Sequence, residues 1–304
     1  MNLYVTNETS LLRAVVLGQS ALIVPTLEQV YDAKSYETVL NGTYPREEEV
    51  SREISALERI LLKYNVQVFR PRRLENCNLV FARDVAFVID DKIINSNIIP
   101  DRNNEKEAYK VVYDLIANNR IYSLPDKAHV EGGDVVLYND IVFVGLYTAP
   151  DYPNFKTART NQYAFNFLKE LFPEKTFIPL ELKKHDVNPH AGVLHLDCTF
   201  MPVGRDKALI YKNGFINEED YQTIVDIFGM ENLFHITQKE MYYMNTNVFS
   251  ISSEVVVSER NFTRLNAHLE NEWGMTVERV PYREISKMGG LLRCSTLPLI
   301  RENE

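Results

Sequence analysis

The chain has 304 residues, 45% hydrophobic and 25% charged, the composition of an ordinary globular protein with ample material for a core. Lys and Arg number 33 against 42 Asp and Glu, a formal charge of −9, and no cluster of basic residues offers the contacts that phosphate backbones require. Apolar runs such as 141–147 fall far short of the roughly 18 residues of a membrane span, and the opening MNLYVTNETSLLR lacks a signal peptide's apolar core. A cytoplasmic chain without nucleic-acid or membrane partners is expected.

In chain order, a strand at 13–18 and an apolar run at 21–24 precede the first helix, 48–64, where Val50, Ile54, Leu57, Ile60 and Leu61 recur at helical spacing behind acidic residues. Further helices are expected at 105–118, 160–172, 217–229 and 261–273. Each helix is followed by a short apolar strand, at 66–70, 121–124, 176–180, 233–236 and 276–280. Before helices two to five stand paired β-branched runs, 85–89 with 92–95, 135–138 with 141–144, 199–203 with 208–211, and 248–251 with 255–257. Their turns, Asp90–Asp91, Asn139–Asp140, 204–206 and 252–254, use residues that tolerate tight reversal. The helix starts lie 57, 55, 57 and 44 residues apart, so one strand–strand–helix–strand unit repeats five times. Such units cannot bury their apolar faces singly. They must share a core, most economically as one closed α/β ring with the helices outside.

The hairpins open on polar segments at one phase of the repeat: NLVFARD (78–84), EGGD (131–134), HLD (195–197) and NTN (245–247). If 195–197 is strand, His195 and Asp197 point to one side and Cys198 to the other, a core thiol. Asp134 is expected to be structural. Asp84, Glu131 and Asp197 together form an anionic site that demands a cation. No HExxH or CxxC spacing supports a metal, and no cofactor motif is present, whereas a planar guanidinium pairs with carboxylates in bidentate fashion. The three cysteines, Cys77, Cys198 and Cys294, are too scattered for a disulfide framework. Cys294 follows Gly289 and Gly290 in MGGLLRCSTLPL (288–299), and a bound cation beside it would lower a thiol pKa. Cysteine, histidine and a carboxylate-bound guanidinium together suggest thiolate attack on the guanidinium carbon, with His195 as acid and base.

These motifs, in this order and spanning essentially the whole chain, resemble the guanidino-group modifying enzymes of the pentein superfamily: arginine deiminases, dimethylarginine dimethylaminohydrolases and arginine amidinotransferases. The resemblance implies a five-bladed α/β propeller of ββαβ units in one catalytic domain, 1–304. It further implies that Asp84 and Glu131 grip the guanidinium, Asp197 binds its reacting end, His195 is the acid and base, and Cys294 is the nucleophile. Asn78 and Arg159, with Gly290, would hold the rest of the substrate. EGGD, NLVFARD and RCSTLPL are similar to arginine deiminases, and NETSLLRAVVLG (7–18) with HLDCTFMPVG (195–204) to amidinotransferases. Asp197 speaks mildly against a dimethylaminohydrolase. The leading expectation is a hydrolase of arginine or a close derivative, with an amidinotransferase second. A dihydrolase and a non-catalytic binding protein of the same fold rank lower. The expected partner is a small arginine-like molecule, a homo-oligomer is compatible with it, and the 146–156 loop is a candidate lid by length.

Overall fold

The turns between the paired apolar runs decide the hairpins. Asp90, Asn139 and Asp206 take positive φ angles of 52°, 55° and 56°, a conformation cheap for Asn and Asp because their short side chains bond the local backbone. The computed structural model describes residues 1–149 and 155–302. Among them, fifteen strands form five three-stranded sheets.

One plan recurs in all five sheets. In the second, β3 (Ala86–Ile89) pairs antiparallel with β4 (Lys92–Asn95), which pairs parallel with β5 (Ile121–Ser123). The third, fourth and fifth repeat this with β6 (Val135–Tyr138), β7 (Ile141–Leu146) and β8 (Thr176–Glu181), then β9 (Phe200–Val203), β10 (Lys207–Ile210) and β11 (Leu233–His235), then β12 (Phe249–Ser250), β13 (Val255–Glu259) and β14 (Thr276–Val280). A parallel neighbour needs a long crossover, which is where the helices come in.

The first sheet departs from expectation. Its β1 (Leu11–Leu17) pairs parallel with β2 (Gln67–Phe69), but its antiparallel partner is β15 (Thr296–Glu302), from Leu11 opposite Glu302 to Leu17 opposite Thr296. The 21–24 run is not a strand. Its backbone is taken up instead by the polar segment at 78–79, with Leu79 N donating to Ala21 O and Ile23 N to Asn78 Oδ1. Swapping in the C-terminal strand carries Cys294, two residues before β15, to the start of the first sheet.

The longer helices are α1 (Ala33–Leu40), α2 (Glu47–Lys63), α3 (Gln162–Leu171), α4 (Glu218–Phe228) and α5 (Thr263–Asn271). In α2, Val50, Ile54, Leu57 and Leu61 are buried as their spacing requires, and burying each such side chain is worth about 1.5–3 kcal/mol. The expected helix at 105–118 is instead a 3₁₀ segment, Pro100–Tyr109, with a single α turn, Lys110–Tyr113. It buries Arg102 and Glu105 along with Ala108 and Tyr109, so its inward side is half polar.

Candidate active site

The polar segments that open the hairpins are single helical turns: Ala82–Val85, Gly132–Asp134 and Leu196–Cys198. His195 is extended (φ −132°, ψ 171°), and the chain turns immediately after it, so Asp197 does not share a strand face with the ring. This corrects the alternation expected there. The ring is held by Glu131, whose Oε2 lies 2.8 Å from His195 Nε2, while Asp197 Oδ2 accepts from Arg293 Nη1 at 2.9 Å. Asp134 is structural, accepting from Leu196 N at 2.9 Å and Thr160 Oγ1 at 2.7 Å. The second glycine of EGGD makes room for the imidazole, since a Cβ on Gly133 would sit 2.6 Å from His195 Nδ1.

Glu131 has both oxygens engaged. Oε1 accepts from Ile99 N at 3.2 Å, and Oε2 accepts from Arg159 Nη1 at 2.7 Å besides meeting His195. Burial works to raise its pKa, but Arg159, His195 and Arg102 hold it well below the usual carboxylate range. For His195, burial works against the charged ring, and the carboxylates of Asp84, Asp134 and Glu131 overcome it, so the imidazole pKa is raised.

On the ring's other side, His195 Nδ1 faces Asp84 Oδ1 at 3.7 Å. Both atoms are buried and neither has a hydrogen-bond partner, a costly arrangement for a protein to leave standing. The second oxygen of Asp84 accepts from Arg102 Nη1 at 2.7 Å, and Arg102 is held in turn by Glu105 through two bonds of 2.7 and 2.8 Å. Sequence reasoning missed Arg102 and Glu105. Their signal was an Arg and a Glu three apart, the spacing at which such side chains pair on one face of a helical turn.

Cys294 is buried, with its amide donating to Asn247 Oδ1 at 3.2 Å and its Sγ 3.3 Å from Asn247 Nδ2. Asn247, the last residue of NTN, thus grips the thiol residue from both ends. Asp197 Oδ2 lies 3.6 Å from the sulfur. Burial first, then Asp197, Asp84 and Cys198, push the Cys294 thiol well above its ordinary pKa.

Asp84, His195 and Cys294 line one cleft, together with Asn78, Arg159, Gly290, Arg102 and Glu105. Glu131 and Asp197 stand behind its wall, so the structure separates the five expected reacting residues into three that face the cleft and two that hold them. Asn78 contacts the Tyr31 and Tyr44 side chains. Arg159 is held at the cleft edge by Glu131, Tyr31 O and Lys156 O. Gly290 is a close-approach position, where a Cβ would lie 2.4 Å from the Phe81 ring. Residues between Pro25 and Tyr44, including Tyr31 and Asp32 at the start of α1, also line the cleft. The expected lid at 146–156 falls partly on 150–154, outside the described residues, and its described residues do not line the cleft.

A small cation also fits this geometry, because single ligand atoms of Asp84, Glu131 and His195 lie within 4.8 Å of one another. Glu131 Oε2 already serves two donors, however. That leaves two free atoms, fewer than the four ligands of a structural zinc site or the three of a catalytic one.

Residues 44–301 match the family described as N,N dimethylarginine dimethylhydrolase, eukaryotic. The chain belongs to that family. With it goes membership in the pentein superfamily, and this dimethylhydrolase relative is an enzyme acting on guanidino groups. This match overturns the expectation drawn from Asp197. The chain is 32% identical over 250 residues to the uncharacterized protein YkgA of Bacillus subtilis (strain 168), covering 81% of this chain and 79% of that one. It is 26% identical over 266 residues to an arginine deiminase of Clostridium perfringens (strain SM101 / Type A), covering 74% of this chain and 62% of the deiminase. The N-terminal domain of ArgZ, solved covalently bound to a reaction intermediate, superposes with a TM-score of 0.77 at 17% identity, covering 95% of this chain and 98% of that domain. SxtG, an amidinotransferase from Microseira wollei, gives 0.75 at 16% identity, covering 99% and 98%. Both structures share the mixed α/β fold. No helix among the described residues is long and apolar enough to cross a membrane.

Proposed function

We propose that the protein hydrolyses the guanidino group of L-arginine or a close derivative through a covalent intermediate on Cys294. The observation that carries this reading is the pair of buried, unpartnered atoms, Asp84 Oδ1 and His195 Nδ1, facing each other on the cleft that Cys294 lines. A guanidinium donates to the first and, as it reacts, exchanges a proton with the second. Its positive charge also counters what keeps the thiol protonated, so the thiol releases its proton to solvent and the nucleophile forms when substrate arrives.

The thiolate adds to the guanidinium carbon. The His195 imidazolium gives its proton to one nitrogen, and the C–N bond breaks with loss of an amine, leaving a positively charged thiouronium on Cys294. Neutral His195 then takes a proton from water, whose oxygen adds to the same carbon, and the C–S bond breaks to return the thiolate. The urea product sheds its surplus proton to the departing amine, so from arginine the products are citrulline and ammonium. In this scheme Glu131 fixes the ring and its proton, Asp84 binds substrate, and Asn247 and Asp197 hold the thiol. Asn78, Arg102 and Arg159 surround the substrate's tail. The same scheme treats the chain as one catalytic domain whose five sheets close into a ring, as the pairing of β15 with β1 supports.

An amidinotransferase shares the first half of this path and differs in admitting an amine where the hydrolase admits water. Mass-spectrometric product analysis with L-arginine, with and without glycine or lysine as acceptor, separates the two. Citrulline and ammonia without acceptor support the hydrolase. Ornithine with a new guanidino compound, formed only with acceptor, overturns it in favour of transfer.

A further inference from the structure

The N-terminal segment NETSLLR takes no part in the reaction just described, yet it sends a buried carboxylate into the interior. Asn7 Oδ1 accepts from Thr9 N at 3.0 Å and Ser10 N at 2.7 Å, a local turn around Glu8, which is only 4% exposed. Its partner is Arg293, the residue immediately before Cys294. All five N–H groups of Arg293 have acceptors. Nε meets Glu8 Oε2 at 3.4 Å, Nη1 meets Asp197 Oδ2 at 2.9 Å and Gly132 O at 3.5 Å, and Nη2 meets Glu8 Oε1 at 2.8 Å and Val135 O at 2.7 Å. No donor is left for a substrate. Arg293 instead stitches the N-terminal segment, EGGD and HLD to the loop that bears the thiol.

The geometry points to Glu8 and Arg293 as a positioning pair for Cys294: Arg293 pins the Asp197 carboxylate beside the sulfur and offsets its charge, and Glu8 holds Arg293 while tempering that offset. The oxygen that Arg293 grips, Asp197 Oδ2, is the one 3.6 Å from Cys294 Sγ, so one atom joins the ion pair to the nucleophile. The other titratable and charged groups acting here include Asp84, Cys198 and Tyr282 around Cys294, with His195 lining the same cleft, and Arg83 and Arg301 around Glu8. Arg83 Nη2 stands 3.9 Å from Glu8 Oε2. Burial of Glu8 is outweighed by Arg293 and Arg83, which lower its pKa to about 2, so it is charged at any working pH.

This inference rests on Cys294 as the nucleophile, and its test reads the thiol directly instead of turnover. The rate of iodoacetamide alkylation at Cys294, followed by peptide mass spectrometry, is measured against pH in the wild type, Glu8→Gln, Arg293→Met and the Glu8→Gln/Arg293→Met pair. Removing the Glu8 charge leaves Arg293 less opposed, so the midpoint moves to lower pH, by about one unit for a charge coupled through a buried network. Removing Arg293 leaves Asp197 unopposed and moves it to higher pH, and the paired variant falls between. A merely structural role slows or speeds alkylation without opposite shifts. Where Arg293→Met fails to fold, Glu8→Gln alone decides, because an unchanged or raised midpoint overturns the proposal. Loss of covalent turnover as a mechanism would appear separately, as full activity in Cys294→Ala.

Discussion

Replacing Glu131 with Gln keeps the size of the side chain and removes its charge, the feature on which both Arg159 and His195 depend. Two bonds to one oxygen, at 2.7 and 2.8 Å, lose the acceptor's charge, and the amide must turn its N–H either toward Ile99 N or toward both Arg159 and His195. Hydrogen bonds to charged groups contribute about 1.5–3 kcal/mol each, and breaking a buried ion pair costs about 3–5 kcal/mol. Arg159 keeps its bonds to Lys156 O and Tyr31 O, so the lower end, about 3 kcal/mol, is expected in urea unfolding. Because the folded-state pKa of Glu131 is depressed, its stabilisation is complete above the unfolded value of about 4.3 and fades as pH falls through the folded value. The difference between wild type and variant is therefore full at neutral pH and narrows on acidification. Activity gives the second readout. Glu131 is among the charges that raise the His195 pKa, so without it the acid form is lost earlier on the alkaline side. The alkaline limb of kcat/KM with arginine moves toward acid by about one to two units. An alkaline limb that stays where it is would refute the assignment of Glu131 to the ring.

Other substitutions probe the remaining contacts. Asp84→Asn removes the charge facing the cleft, and kcat/KM for arginine falls about 10²–10³-fold with unchanged circular dichroism, a loss under threefold contradicting its role. Gly133→Ala drives a methyl group into the imidazole, so activity falls about 10²-fold through ring displacement, whereas wild-type kinetics would mean that the ring has room to move. Asn247→Ala releases both ends of Cys294, and steady-state kinetics with arginine are expected to lower kcat about 10-fold or more with KM little changed.

The sequence made some of this legible and hid the rest for identifiable reasons. Turn chemistry is local, so Asp90, Asn139 and Asp206 announced their hairpins, and the spacing of α2 announced its buried face. The partner of β1 was not local. An apolar run at 21–24 stood nearer than Thr296–Glu302, and only the three-dimensional path shows that the former bonds the 78–79 segment while the latter completes the sheet. A helix was expected at 105–118, but the helical segment starts at Pro100 and winds as 3₁₀, and the buried Arg102–Glu105 ion pair in its first turns carries no apolar period to mark that start. HLD was misread in a similar way: a one-turn reversal after His195 breaks strand alternation without any glycine or proline to mark it. That Asp84, His195 and Cys294 share one cleft was nonetheless foreshadowed, since their residue types and order are intrinsic to the sequence. What was not legible is which carboxylates face the cleft and which stand behind it, because Glu131 and Asp197 are withdrawn by Arg159 and Arg293, arginines distant from them in the chain.

The most direct measurement is acid quenching of the enzyme during steady turnover of L-arginine, followed by mass spectrometry of the peptide that carries Cys294. The account predicts an adduct equal to arginine less ammonia on Cys294, disappearing when substrate is exhausted and forming far more slowly when His195 is replaced by Asn. Product formation with Cys294 unmodified at every quench time, or the adduct on Cys77 or Cys198 instead, would contradict it.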